Sequence, residues 1–244
     1  MPVIYQSNPI RHLTAKFTYE VSFIEMVFSA IKKEISMYLP PHFEEVNEGE
    51  ITNLIERFPL ATIVCQKDGE FIANHIPLLR NKTNSYIGHI AKANSLHTVF
   101  PNGMNAIAIF TAENSYISPN WYPTKQKTHR HVPTWNYQVV HLKGKITFDS
   151  SKKAKLLAVG KLTKMYEKIY SGKKEWKMSD APKDFMEQNI HNIVAFEFHI
   201  EHVIAKSKVS QNKDKEDYDS VSNMMKEQGN NFLSSAMIRI REAE

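Results

Sequence analysis

The sequence predicts an α+β protein, mainly β with flanking helices, built on an antiparallel barrel or sheet. Three observations carry this. Leu60–Gln66 and Glu70–Leu79 are apolar-rich runs separated by Lys67-Asp68-Gly69, a tight hairpin turn in which Gly69 can take positive φ. Ile193–Ala205 alternates, with Val194, Phe196, Phe198 and Ile200 on one side and Glu197, His199 and Glu201 on the other, the pattern of a half-buried antiparallel strand. Helical periodicity is confined to stretches beside the strands, and no strand–helix–strand repeat calls for a parallel sheet.

The elements follow in order. Residues 1–36 stand apart, with Arg11 and Lys16 and no acid before Glu20. Phe23, Met26, Val27 and Ile31 have helical spacing there. The segment reads as a structural helix, a targeting sequence or translated upstream sequence, and Met37 opens what looks like a fresh start. Glu48–Phe58 is expected to be a helix with Ile51, Leu54, Ile55 and Phe58 on one face, stopped by Pro59. The hairpin follows, then a polar turn at Asn81–Ser85, a strand at Tyr86–Ile90, a short helix at Ser95–Phe100 and a strand at Asn105–Phe110. Tyr137–Phe148 is a long strand in which Gly144 marks a bulge or a close approach. Lys152–Tyr170 is a helix with Leu156, Leu162, Met165, Tyr166 and Ile169 as its apolar stripe. Asp180 is expected to cap a further helix with Pro182 in its first turn, and the tail from Asp214 reads as one or two helices.

The bulk numbers bound the class. A chain of 244 residues, 42% hydrophobic and 23% charged, can bury a core without disulfides. The single cysteine, Cys65, sits in an apolar run and is expected to be a core residue. The absence of disulfides fits a cytoplasmic address. No apolar run approaches the ~20 residues of a membrane helix, so no membrane partner is expected. The net charge of +5 permits an anionic ligand or a nucleic acid without demanding either.

Three segments carry candidate chemistry. Tyr116–Tyr137 crowds Trp121, Trp135, Tyr116, Tyr122 and Tyr137 among prolines 119, 123 and 133. Stiff aromatic loops with polar side chains suit a flat, partly polar ligand, or act as lids on a core. In Phe71–Leu79, Asn74 and His75 interrupt an apolar strand, and buried polar groups there need partners or a ligand edge. In Gly88–Asn94, Lys92, His89 and the following helix start could hold a phosphate, although P-loop glycine spacing is missing. His129, His131 and His141 lack the cysteine or carboxylate that would complete a zinc site, and no nucleophile motif such as G-x-S-x-G is present. Glu44 and Glu45 read as solvated residues flanking a helix. Lys152–Lys177 holds nine lysines against two acids, which reads as a solvated helix face or a phosphate-contacting one; it lacks the arginines and the helix-turn-helix of a base reader.

Several motifs occur together, in order and at matching spacing: Met37-Tyr38-Leu39-Pro40-Pro41-His42-Phe43, Pro59-Leu60-Ala61-Thr62, Ala73-Asn74-His75-Ile76-Pro77-Leu78, Gly88-His89-Ile90-Ala91-Lys92-Ala93-Asn94, Tyr116-Ile117-Ser118-Pro119-Asn120-Trp121-Tyr122-Pro123, Val132-Pro133-Thr134-Trp135-Asn136-Tyr137, Ser179-Asp180-Ala181-Pro182 and Lys208-Val209-Ser210-Gln211-Asn212. On these the chain resembles the PaiB-type FMN-binding negative transcriptional regulators, a branch of the FMN-binding split β-barrels. Asn120, where the family usually has serine, and Val209, where it often has leucine, are mild departures. The resemblance implies a split-barrel domain over residues 37–212, a helical tail over 213–244 packed on the barrel, and a homodimer with FMN at the subunit interface. It implies a phosphate site at His89, Lys92 and Asn94, and Asn74 and His75 along the isoalloxazine. Ser118, Trp121, Tyr122, Trp135, Asn136, Lys208 and Gln211 would close the pocket. A flavin-dependent oxidoreductase stays open as the alternative to a regulator, and no residue has a catalytic assignment. Nucleic acid is a partner that the family name raises and no sequence motif supports.

Overall fold

A computed structural model describes residues 37–243; the expected helix around Phe23–Ile31 lies outside them. From Leu39 onward the chain packs as one unit. Its seven strands are β1 Leu60–Lys67, β2 Glu70–Pro77, β3 Leu79–Lys82, β4 Ser85–Ala91, β5 Met104–Ile117, β6 Thr134–Asp149 and β7 Ile193–Lys208. The helices are α1 Glu48–Arg57, α2 Leu96–Val99, α3 Lys125–Thr128, α4 Lys152–Tyr170, α5 Lys183–His191, α6 Lys215–Glu227 and α7 Asn231–Ala243.

The strands form one antiparallel sheet in the order β2-β1-β5-β6-β7-β4-β3. Its two edge strands, β2 and β3, are consecutive in the chain, with Leu78 alone between them. So short a link joins opposite edges only if the sheet curls round on itself, and the result is an antiparallel split barrel. Pro77 ends the ladder with β1, and Leu78 crosses the gap fully buried, its N–H donating to Pro59 O at 3.0 Å.

Alternation then fills the interior. Ala61, Ile63, Cys65, Ala108, Phe110, Val140, Leu142, Ile146, Val194, Phe196 and Phe198 point inward as the main core. Burial pushes the Cys65 thiol up to about 11, so the group is neutral at physiological pH. The Asp68-Gly69 turn has positive φ at both positions, 52° and 85°, which suits the twist of a two-residue hairpin. At Gly144 the β6–β7 register shifts, and a Cβ there would sit 1.9 Å from His199 O. Glycine is the residue that lets the two backbones approach.

Several expectations change. The run Glu70–Leu79 divides into β2 and β3, and Asn81 and Lys82 lie in β3, so the turn is Thr83-Asn84. β5 continues past Phe110 to Ile117, and β6 starts at Thr134, because the two strands pair through the aromatic segment after a bulge between Thr111 and Asn114. β7 likewise runs on to Lys208. Asp180 caps no α-helix; it sits in a 3-10 turn and accepts from Lys177 N–H, while Pro182 is the N-cap of α5. Glu45 is not solvated: its carboxylate accepts from Arg239 at 2.9 Å and from Ser207 Oγ at 3.2 Å, linking β7 to α7. The tail folds as α6 and α7, which cover a second core of Ile117, Tyr122 and Val209 with Tyr218, Met225, Leu233 and Met237.

Candidate functional site

The segments around β2 and β4 meet. Asn94 Nδ2 donates to Asn74 Oδ1 at 2.8 Å, and Asn94 Oδ1 accepts from Leu96 N–H at 2.9 Å. One amide therefore ties β2 to the turn after β4 and to the first residue of α2. Lys92 N–H donates to Asn192 O at 2.8 Å, and its ammonium donates to His191 Nε2 at 3.3 Å. His89 shares a face of β4 with Ile87, which packs on Ala158 of α4. Burial lowers the His89 pKa below the ordinary imidazole value, and its Nδ1 is buried without a hydrogen-bond partner.

The outer face of the sheet carries His75. The register lines up His75, Thr62, Ile109, His141 and Ile204 as one transverse row across β2, β1, β5, β6 and β7. The Thr62 hydroxyl lies 3.0 Å from His75 Nδ1. Burial and the nearby Lys143 charge lower the His141 pKa. Next to this row, Val64, Ile107, Lys143 and His202 line a shallow cavity of about 410 Å³ with the exposed Phe71.

The aromatic segment lies elsewhere. Ser118 Oγ accepts from Asn120 N–H at 3.2 Å and opens a 3-10 turn, Pro119–Trp121. Trp121 packs on the second core, and Tyr122 is inside it at 1% exposure. Thr124 is the anchor: its N–H and hydroxyl donate to Asp217 at 3.0 and 2.6 Å, and His131 Nε2 donates to the Thr124 oxygen at 2.8 Å. Asp217 of α6 is 1% exposed and Tyr122 stacks on His131 at 4.8 Å, so this loop is clamped to the C-terminal helices. Trp135 instead faces outward, 53% exposed, edge-on to Tyr116 at 6.2 Å. Asn136 is fully buried; its Oδ1 accepts from Ser210 Oγ at 3.0 Å and its Nδ2 has no partner. Lys208 donates to Thr134 Oγ1 at 2.6 Å and to Trp135 O, and burial, with Lys206 and Lys213 nearby, lowers its pKa. Gln211 spends its amide on the chain turn, accepting from Val209 N–H at 2.8 Å and donating to Ser207 O at 2.5 Å.

Within one chain, then, Asn74, Lys92 and Asn94 form one group and Trp121, Tyr122, Trp135, Asn136, Lys208 and Gln211 another. Among the described residues no hydrogen bond or ring contact joins the two groups. Ala195 pairs with His89 near one end of β7 and Lys208 pairs with Tyr137 at the other, a path along the strand of ~40 Å at about 3.3 Å per residue, while Asn74 falls between them in the row of Ile63, Ala108, Leu142 and Val203. The resemblance puts the pocket at a subunit interface, where residues of two copies would meet. Thr62 faces His75 across the predicted β1–β2 hairpin, whereas His141 joins that row only through β1–β5–β6 pairing, which is non-local and leaves no sign in the sequence. Asp217, which holds the aromatic loop, lies in a helix whose local pattern gives no sign of the loop. Among the described residues no group of three His, Cys, Asp or Glu side chains could hold a metal, and no helix is long and apolar enough to cross a membrane.

Comparison with known proteins adds to this geometry. A family model described as "Putative FMN-binding domain" matches residues 37–202. The chain is 32% identical over 199 residues to the Bacillus subtilis protein named "Protease synthase and sporulation protein PAI 2", covering 80% of this chain and 91% of that one. It is 32% identical over 130 residues to an uncharacterized protein of Saccharomyces cerevisiae, covering 44% of this chain and 76% of that one. Among solved structures, the FAD and heme binding protein from Mycobacterium smegmatis superposes with TM-score 0.51 at 15% identity, over 72% of this chain and 78% of that one. A conserved hypothetical protein from Mycobacterium tuberculosis does so with TM-score 0.51 at 8% identity, over 73% and 94%. At those identities the likeness speaks for the fold alone.

Proposed function

This chain belongs to the family described as "Putative FMN-binding domain", and on that premise we propose that it is a homodimeric FMN-binding protein of the PaiB type, with the flavin held between two copies. The observation that carries the reading is the separation of the two residue groups. The path along β7 from the partner of His89 to Lys208, which bonds Trp135 O, is ~40 Å at about 3.3 Å per residue, longer than a mononucleotide. A two-fold axis against the outer face would bring one copy's polar end toward the other's aromatic end, since an isologous interface pairs unlike parts of the same surface. That face has the half-exposed Val64, Ile107, Ile109 and Ile204 to bury, flanked by His75, His141 and His202.

The residues fit the cofactor. Lys92 and Asn94 supply donors of the kind a phosphate needs. His75 and Thr62 offer hydrogen-bonding atoms on an apolar face, and Trp135 and Tyr116 offer exposed rings. Bound FMN would supply redox chemistry, and the protein orientation and electrostatics. The proposed role is negative regulation of transcription, as the PaiB-type resemblance implies. Residues 37–212 would form the barrel and 213–244 its helical cover, in a cytoplasmic protein.

The test is direct. Purified protein should be yellow, release FMN on denaturation and run as a dimer. Colourless monomer that fails to take up added FMN would rule the reading out. The regulatory part is tested by salt-titrated gel shift, and DNA binding no stronger than that of a generic basic protein would remove it.

A further inference from the structure

We propose that the cleft between α4 and α5 is a binding site for a phosphate-type anion, separate from the flavin site and anchored by Lys155. The cleft is a cavity of about 390 Å³ lined by Ser150, Lys152, Lys155, Glu187, Ile190 and His191. That volume takes a phosphate carrying a small organic body.

Lys155 is the reason to expect an anion. It is 8% exposed, on the buried face of α4, and its ammonium has a single hydrogen bond, 3.4 Å to His191 O. Among the described residues no carboxylate pairs with it. A largely buried lysine that spends one of its three ammonium donors on a long carbonyl contact, and lines a cavity, has donors left to offer an anion there.

The walls favour the same sign. Lys92 donates to His191 Nε2, which puts the ring proton of a neutral His191 on Nδ1 and makes that atom a donor. The N-terminus of α4 adds little to this, because Ser151 Oγ caps Ala154 N–H at 3.2 Å and the Asp149 carboxylate accepts from Ser151 N–H at 2.7 Å. Glu187 is the one carboxylate in the lining, and it is engaged by Lys152 at 3.5 Å in a pair that is half exposed and therefore weak. The site thus offers several donors and one acceptor that is already used. The inference stands on Lys155 and the cavity; Lys92, given to the flavin phosphate under the proposed function, enters only through its bond to His191.

The experiment is calorimetric titration of inorganic phosphate into the full chain at low ionic strength. Wild type should bind in the millimolar range or tighter. Lys155→Met, with its far-UV spectrum unchanged, should lose about tenfold or more in affinity, the worth of a charged hydrogen bond. Glu187→Gln should tighten binding, because it removes the negative wall and frees Lys152; this exposed substitution carries the test if Lys155→Met does not fold. Saturation with FMN should leave phosphate affinity unchanged. Absence of phosphate binding by wild type, wild-type affinity in folded Lys155→Met, unchanged or weaker binding in Glu187→Gln, or competition by FMN would each overturn the assignment.

Discussion

Asn94 and Asn74 are joined by a 2.8 Å hydrogen bond between their side-chain amides, and the same Asn94 side chain accepts from Leu96 N–H. The turn that follows β4 is therefore held against β2, the edge strand at the far end of the sheet order. Asn94→Ala leaves the Asn74 carbonyl and the Leu96 N–H without these partners. A loss of about 1–3 kcal/mol is expected, seen as a lower denaturation midpoint at constant slope.

Lys92 reaches its imidazole partner across the surface, at the end where the phosphate is proposed. Lys92→Ala should weaken FMN binding about tenfold or more and leave riboflavin binding unchanged, since only FMN has the phosphate. Flavin fluorescence titration measures both. Equal losses for the two ligands would move the phosphate elsewhere.

Gly144→Ala is expected to be among the most damaging single substitutions. The added methyl would meet His199 O at 1.9 Å; its position is fixed by the paired backbone of β6 and the oxygen is backbone of β7, so neither can turn away. A loss above about 3 kcal/mol, or no folded protein, is the expected result by chemical denaturation.

Asp217 fastens the aromatic loop through Thr124. Asp217→Asn keeps the shape but gives up the charge and one acceptor, at a cost of about 1.5–3 kcal/mol. The loop should then be cut faster by trypsin at Lys125, Lys127 and Arg130, all exposed or half-exposed. Unchanged cleavage would show that Asp217 does not hold the loop.

Acid should destabilise the barrel before its carboxylates titrate. Burial depresses the pKa of His89 and His141 below the ordinary 6.5. The unfolded chain therefore binds more protons than the folded one as pH falls below about 6.5, and stability declines from there toward the lower folded values. Above 6.5 both groups are neutral in both states and contribute no slope. His89→Gln should flatten the decline, read as denaturation midpoint against pH; a slope identical to wild type would remove His89 as a source.

Much of the barrel was legible because its signals are local. The Asp68-Gly69 turn, the alternation of Val194, Phe196 and Phe198, and the Ser151-capped helix α4 each depend on residues a few positions apart. Strand ends were less legible. β5 and β7 run beyond the predicted limits because their terminal residues pair with β6, and pairing across the sheet leaves little trace in the strand itself.

The candidate site divides the same way. The sequence by itself determined the family, the residue types at risk and the aromatic character of Tyr116–Tyr137, because motif order and composition are properties of the chain. Long-range packing is what makes Asn74 meet Asn94, buries Tyr122 and Asn136 while leaving Trp135 exposed, and sets His89 and Lys208 toward opposite ends of β7. Register and sheet order set those relations, and both are fixed by contacts between residues distant in the chain.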